Sequence, residues 1–319
     1  MKPLRITRSY GLLLATLMPI LGCGERAEAN TSAWPDPAAY DADLAAWKQR
    51  RITSVAGPDG WTTLAGLHWL DSASYRVGSD SANAIVLPAG APGRLGTVER
   101  AAGGVRFDAA PAADVRVKGA PVDALVLRSD ARGAEPTVLE AGSVTLRVIE
   151  RSGRLALRVK DTLHPARAAF EGLEYFPVDT SWRLRARLVP HDEPKTLAVI
   201  DVVGQVQTYE SPGALEFTHG GEGYRLDAVI EPGVNDLFVM FRDKTSARET
   251  YPAGRYVYAP VPDSTGTTVL DFNRAYNPPC AFTALATCPL PPGQNVLPIP
   301  IRAGELRYHE PGKKAKVKA

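Results

Sequence analysis

The chain has 319 residues, 45% hydrophobic and 23% charged, with 37 basic against 35 acidic side chains, the make-up of an ordinary globular protein of one large or two modest domains. Its 28 glycines and 27 prolines amount to about one residue in six, well above average, which argues for short strands and dense turns and against a coiled coil, a helical bundle or a disordered chain. After residue 22 no apolar run reaches the roughly 18 residues that a membrane-spanning helix needs, and a net charge near zero gives no footing for nucleic acid.

In chain order, Lys2, Arg5 and Arg8 make a positive start, residues 12–21 are apolar apart from Thr16 and Pro19, and Ile20-Leu21-Gly22-Cys23 closes the stretch. This is the pattern of a secretory signal peptide, residues 1–22. Its ending resembles the bacterial lipobox, in which the cysteine is acylated and becomes the first mature residue, so lipidation is expected at Cys23. Several acyl chains on one residue exceed what stable membrane anchoring requires. Gly24 follows where an aspartate would hold the protein at an inner membrane. The expected address is the cell envelope, facing the periplasm from the outer membrane, with the membrane as a partner through the anchor. Loss of Lys2, Arg5 and Arg8 leaves a net charge of about −1.

Residues 23–36 are small or polar and read as a tether. Asp36-Pro37 is a capping residue followed by proline at the first helical position, and Tyr40, Leu44 and Trp47 fall on one face, so an amphipathic helix is expected over 37–54, its regular pattern reaching Arg51. Its aromatic stripe suits docking on a domain. From Gly57-Pro58-Asp59-Gly60 onward the pattern changes to strands. Runs at 84–87, 105–107, 115–117, 124–128, 143–150 and 155–159, separated by turn residues, read as a β-sandwich over 55–162. The order of Arg76-Val77-Gly78, Asn83-Ala84-Ile85-Val86-Leu87, Lys118-Gly119 and Glu140-Ala141-Gly142 resembles a forkhead-associated domain. Ser79 stands where phosphothreonine readers carry arginine, and no Ser-x-x-His follows Leu87. The resemblance therefore implies the sandwich and not phosphopeptide binding.

Further strands are expected at 182–188, 197–203, 206–209, 214–218, 224–229, 237–241, 256–259 and 269–272, with hairpin turns at Val203-Gly204-Gln205-Val206 and Gly220-Gly221-Glu222-Gly223. They form a second antiparallel β domain over 163–310. Residues 277–298 hold six prolines, too many for a sheet interior, and are read as an irregular, pinned segment closing a cleft between the two β units. Lys313, Lys314, Lys316 and Lys318 make 311–319 a basic, solvated tail. The fold class is all-β with one short N-terminal helix.

The stretch from Asp271-Phe272-Asn273-Arg274 through Tyr276-Asn277-Pro278-Pro279-Cys280, then Thr287-Cys288-Pro289-Leu290-Pro291-Pro292, Asn295 and Ala303-Gly304-Glu305, resembles the bacterial family called domain of unknown function 1684. Gly60-Trp61, Gly66-Leu67, Trp69-Leu70, Arg158 with Asp161, Thr250-Tyr251 and Gly254-Arg255 match it too, so the resemblance spans residues 47 to 308. It implies no established activity, substrate or catalytic residue.

Cys280 and Cys288 remain once Cys23 is acylated. Seven residues between them allow the roughly 5.5 Å Cα separation of a disulfide, the ordinary state in an oxidising periplasm; free thiols or simple packing would suit the pair too, and zinc would need two further ligands. Acids and amides gather in the same region. Asp243, Asp271, Glu305 and His219 are the candidates for a water-activating carboxylate site, and Arg255, Asn273, Asn277 and Asn295 for ligand contacts. The other reading of all eight is structural: short polar side chains satisfy irregular backbone and neutralise Arg255. Trp61, Trp69 and Trp182 suit buried core better than stacking on sugar. No histidine-led metal motif, nucleophile elbow or phosphate-cradling loop is present, and no cofactor is implied. The expected function is non-catalytic binding of an envelope component, peptide or small ligand in a cleft of the C-terminal β domain. The alternative is a carboxylate-based hydrolase acting on an envelope polymer, which needs at least two of the candidate acids in one open pocket.

Overall fold

A computed structural model describes residues 36–101 and 104–309. The signal peptide, Cys23, the tether up to Pro35 and the basic tail lie outside the described residues. Helix α1 (Pro37–Ala56) starts where Asp36 Oδ2 accepts the Ala39 amide at 3.0 Å, and it ends as the Gly57 amide donates to Thr53 O. It is longer than the sequence pattern suggested, because no residue before Gly57-Pro58 breaks it.

Eleven short strands follow: β1 (Leu64–Trp69), β2 (Ser74–Gly78), β3 (Ile85–Val86), β4 (Gly96–Ala101), β5 (Gly104–Ala109), β6 (Arg116–Val117), β7 (Ala120–Pro121), β8 (Ala124–Leu127), β9 (Val138–Ala141), β10 (Val144–Arg151) and β11 (Arg154–Asp161). They make two sheets, of order β1-β11-β10-β9-β6-β7 and β3-β2-β4-β5-β8, antiparallel except for the two-residue β2–β3 pair. One core joins them, with Val98, Val105 and Phe107 from the second sheet against Leu146, Val148, Leu157 and Val159 from the first. Because side chains alternate along a strand, Leu157 and Val159 on this inner face put Ala156, Arg158 and Lys160 on the outer face of the first sheet.

The rest of the chain builds one antiparallel sheet of order β16-β15-β14-β13-β12-β17 from β12 (Arg183–Ile200), β13 (Val206–His219), β14 (Glu222–Ile230), β15 (Leu237–Phe241), β16 (Arg255–Ala259) and β17 (Thr267–Asp271), preceded by a four-residue helix α2 (Pro165–Ala168). The sequence pattern divided β12 and β13 into two pieces each. They are instead continuous strands whose register shifts between Pro190 and Lys195 and between Glu210 and Gly213: the prolines sit at bulges, where a missing N–H removes no ladder bond. One face of the sheet packs Leu215, Phe217, Leu226 and Val239 beneath Phe272, Leu297, Ile301 and Ala303 of the chain that follows β17. The other face carries Leu197, Val199, Phe238, Met240 and Tyr256, flanked by Tyr209, Tyr258 and Tyr276.

Helix α1 ties the parts together. The Tyr40 hydroxyl donates to Asp271 at 2.8 Å, and the Arg51 guanidinium donates through Nε to Glu305 at 2.8 Å while lying 4.4 Å from the Tyr276 ring centroid. The sandwich meets the C-terminal sheet directly as well. Ser152 Oγ donates to Val206 O at 2.6 Å, and Gly133 passes so close to Pro232 that a Cβ on it would lie 2.9 Å from a backbone carbon. Gly133 also has φ +76, so glycine is required there on both counts.

Candidate functional site

A half-open cleft of about 1010 Å³ lies between the sandwich, α1 and the C-terminal sheet. Its residues come from elements far apart in sequence: Trp47 and Arg51 from α1, Trp61 from the 3-10 turn Trp61–Thr63, Arg151 and Arg158 from the outer face of the first sheet, Tyr209, Tyr256 and Tyr258 from the C-terminal sheet, and 286–289 from the proline-rich segment. The C-terminal wall is aromatic. Tyr256 packs edge-on against Phe238 at 4.9 Å and against Tyr276 at 5.7 Å, and its hydroxyl donates to Pro289 O at 2.6 Å. The Tyr258 hydroxyl donates to Glu231, and that of Tyr209 to Gln207 at 3.2 Å. With these hydroxyls committed to protein acceptors, the tyrosines offer chiefly their rings, and Glu210 and Glu231 line the cleft beside them. Burial holds the phenols of Tyr256, Tyr258 and Tyr276 above their ordinary 10 and pushes Tyr209 up to about 12.

The opposite wall carries Arg132, Arg151 and Arg158 together with Asp130 and Glu150. Arg151 is neutralised by Asp130, which accepts from both of its terminal nitrogens at 2.9 Å, a bidentate fork. Arg147 and Lys160 share one acid, Asp59, whose carboxylate accepts from both and whose carbonyl also accepts from Lys160. Arg158 lies between them, directly opposite Arg147 in the β10–β11 ladder. It is 6% exposed, no carboxylate among the described residues pairs with it, and its buried Nε has no hydrogen-bond partner. Its neighbour is the Trp61 ring, whose centroid is 5.4 Å from the guanidinium carbon and 5.5 Å from Lys160 Nζ. A cation over an indole face gains about 0.5–2 kcal/mol, less than a buried charge loses on leaving water. Arg158 is accordingly brought down to about 10 from 12.5, first by burial and then by Arg151, with Asp130 opposing; Lys160 is brought down to about 8, first by burial, with its bond to Asp59 opposing and Arg147 adding to the drop.

None of the eight residues nominated from sequence for catalysis or ligand contact lines this cleft. Asp243 is wholly buried: it pairs with Arg255 Nη2 at 2.8 Å and accepts from the Thr245 and Ile301 amides at 2.9 and 3.0 Å. Arg255 also donates to Ile301 O at 2.8 Å and to Ala303 O, locking the chain just after the proline-rich segment onto the sheet. Asp271 caps the Asn273 amide at 3.0 Å and receives Tyr40, whereas Glu305 holds Arg51 and the Asn277 amide at 2.8 Å. Asn273 exchanges two bonds of 3.0 Å with the Asp179 backbone, and Asn295 binds Asp227 and Met240. Asn277 donates to Leu306 O at 2.7 Å and leaves its buried Oδ1 without a partner. His219 stacks on buried Trp182 at 3.8 Å, at the opposite end of β13 from the cleft residues Gln207 and Tyr209. The three acids thus belong to three separate structural contacts, and among the described residues no three His, Cys, Asp or Glu side chains gather in a way that could hold a metal.

Cys288 does line the cleft. Its sulfur accepts the Cys280 amide at 3.0 Å and the two sulfurs are unbonded. Burial pushes the Cys288 thiol up; the contact with Cys288 draws Cys280 down.

The sequence reading named Arg158 only as a family match, weighed Trp61 for stacking and preferred core, and passed over the tyrosine wall. A signal for Arg158 was available. In 155–161, Leu-Ala-Leu-Arg-Val-Lys-Asp, alternation puts two cations on a second face of a strand whose first face is core, and α1 and the C-terminal sheet cover that face.

The profile of the family described as "Protein of unknown function (DUF1684)" matches residues 168–306, which is the C-terminal sheet with the proline-rich segment, a narrower span than the motifs suggested. No curated protein matches the chain. Among solved structures, the solution NMR structure of an uncharacterized protein from Haloarcula marismortui is 36% identical over an alignment covering 44% of this chain and 78% of that one, with a TM-score of 0.38. With its Arg255–Asp243 lock, its Glu305 anchor and its cysteine pair all inside the matched span, the chain belongs to the DUF1684 family of proteins of unknown function.

Proposed function

We propose that the protein is a lipid-anchored, periplasm-facing binding protein of the outer membrane, and that its site is the cleft between the sandwich and the C-terminal sheet. The ligand is a small molecule, or the end of an envelope component, that presents an anionic group to Arg158 and an apolar or ring-shaped body to the tyrosine wall. One observation carries this reading: a guanidinium 6% exposed, without a carboxylate partner, on the wall of a 1010 Å³ cleft. Buried charges in proteins are ordinarily paired, and an anion bound in the cleft supplies the missing partner. The cleft volume is at the upper end for small-molecule sites. None of the acids nominated from sequence lines the cleft, whose own carboxylates are Asp130, Glu150, Glu210 and Glu231; binding is preferred to hydrolysis on the buried, unpaired Arg158. The anchor rests on Ile20-Leu21-Gly22-Cys23; a disulfide between Cys280 and Cys288 in the oxidising periplasm is part of the same proposal.

Untargeted mass spectrometry of molecules released from the purified mature protein tests the site. Wild type should retain an acidic compound that Arg158→Met does not, and identical small-molecule content in both would overturn the assignment. Cys23→Ser should move the protein out of the membrane fraction; an unmodified cysteine at the mature terminus would remove the anchor.

A further inference from the structure

We infer that the ligand of the cleft is the C-terminal end of an extended peptide, which adds as a strand to an open stretch of the β13 edge and places its terminal carboxylate at Arg158. The inference rests on the reading of the cleft as an anion site and adds the class of ligand. It begins with the register of β12 and β13. On the turn side of Glu210, which pairs with Ile230 at the end of β14, the hairpin runs on without a third strand beside β13. Its turn is closed by the Asp201 amide on Gln205 O at 2.8 Å, so these two residues face each other. Main-chain groups of an antiparallel pair point inward and outward in alternation, which turns those of Ile200 and Val206 outward, of Val199 and Gln207 inward, and of Ala198 and Thr208 outward. Two contacts fix the phase. Ile200 O accepts the Leu290 amide at 2.9 Å on one side of the hairpin, and Val206 O accepts Ser152 Oγ at 2.6 Å on the other.

The Thr208 N–H and C=O therefore point away from the ladder, and among the described residues neither has a protein partner. Thr208 lines the cleft. Its side chain falls on the opposite face of the hairpin from that of Tyr209, so main chain is what it turns toward the opening. An open strand edge suits another extended main chain, whose amides supply affinity while alternate side chains enter pockets. Here one set of side chains would face the tyrosine wall. The second observation is Arg158, buried and unpaired on the same cleft. A ligand that offers amides to Thr208 and a carboxylate to a guanidinium is a peptide with a free C-terminus. The cleft's own Asp130, Glu150, Glu210 and Glu231 set the rest of its chemistry, because they oppose further negative charge and favour neutral or basic side chains.

The same contacts bound the length of the peptide. Ser152 touches Val206, Arg158 is six residues beyond Ser152 and Thr208 two beyond Val206. At about 3.3 Å per strand residue the two ligand contacts lie within about 30 Å of each other, which an extended peptide of about nine residues spans. The open edge ends at Ile230 on one side and at Ser152 on the other. Pairing is thereby limited to the few bonds that Thr208 and the Val206 amide can make, and the contact at Arg158 selects which end of the peptide enters.

Two pools of randomised nonapeptides, one ending in a free carboxylate and one amidated, are passed over the immobilised mature protein; retained peptides are read by mass spectrometry and the most enriched titrated by calorimetry. The free-acid pool should be retained at least about tenfold over the amidated pool, and Arg158→Met should remove the preference. Thr208→Pro deletes an N–H that serves no ladder bond, so the fold should tolerate it while peptide affinity falls about fivefold; Thr208→Val, which returns the N–H, should restore binding. Nonapeptides N-methylated at successive positions make the same test from the ligand side, with losses expected at alternate amides. Binding indifferent to Thr208→Pro, or equal tolerance of N-methylation at every position, would overturn the strand pairing. Equal retention of the two pools would overturn the placement of the carboxylate. Retention of neither pool, with Arg158-dependent binding of benzoate, would overturn the peptide class and leave the anion site standing. Absence of Arg158-dependent binding of peptides and of benzoate alike would overturn both.

Discussion

Replacing Arg158 by methionine should make the unliganded protein more stable while removing its ligand. The guanidinium is held at about 10 against an ordinary 12.5, which at about 1.4 kcal/mol per pH unit corresponds to roughly 3 kcal/mol by which the folded state penalises the charge. Against this stand the contact with Trp61, worth about 0.5–2 kcal/mol, and the packing of the aliphatic stem, which methionine largely preserves. The balance favours the variant by about 1–2 kcal/mol, or roughly 2–6 °C in Tm at this chain length. Differential scanning calorimetry of ligand-free wild type and variant measures it. Replacing buried ionic groups by apolar ones of similar volume is known to stabilise when the charges were poorly compensated. A fall in Tm of several degrees would show that Arg158 has structural partners and would refute the reasoning, for the site then would need no ligand to explain it.

Arg255 supplies the contrasting case, since it is equally buried but fully bonded to Asp243, Ile301 O and Ala303 O; Arg255→Ala should cost about 3–5 kcal/mol by stranding Asp243, and an unchanged Tm would refute the lock. Thiol titration of protein folded under oxidising conditions should find neither Cys280 nor Cys288 free, although the sulfurs are unbonded in this structure; two titrating thiols would discard the bridge. The protein should unfold steeply above about pH 10. Burial keeps Tyr40, Tyr175, Tyr209, Tyr251, Tyr256, Tyr258 and Tyr276 protonated beyond the ordinary 10, so above that pH the unfolded chain gives up protons that the folded one retains, and stability falls as pH rises. Circular dichroism followed against phenolate absorbance checks this; phenolate appearing near pH 10 with the fold intact would contradict it.

Local rules were enough for much of the architecture. Period-two alternation in 143–150 and 155–159 specifies strands because one face must meet a core, Asp36-Pro37 starts α1 because its cap and its first position are chemically distinct, and Val203-Gly204-Gln205-Val206 turns because only glycine takes the φ of +81 found at Gly204 without strain. Proline misled where it usually guides. Pro190, Pro194 and Pro212 lie within β12 and β13, and whether a proline ends a strand or sits at a bulge depends on the partner strand, which no local window contains. The polar residues of the proline-rich region were legible as a group, but not their division into Arg255–Asp243, Tyr40–Asp271 and Arg51–Glu305, because two of these three partnerships reach back more than 200 positions to α1. The cleft itself was set by tertiary structure alone. Trp61, Arg158, Tyr209 and Tyr276 lie far apart in sequence, and a missing partner such as the one Arg158 lacks is a property of the surrounding packing, which becomes defined only when the outer face of one sheet is buried against another.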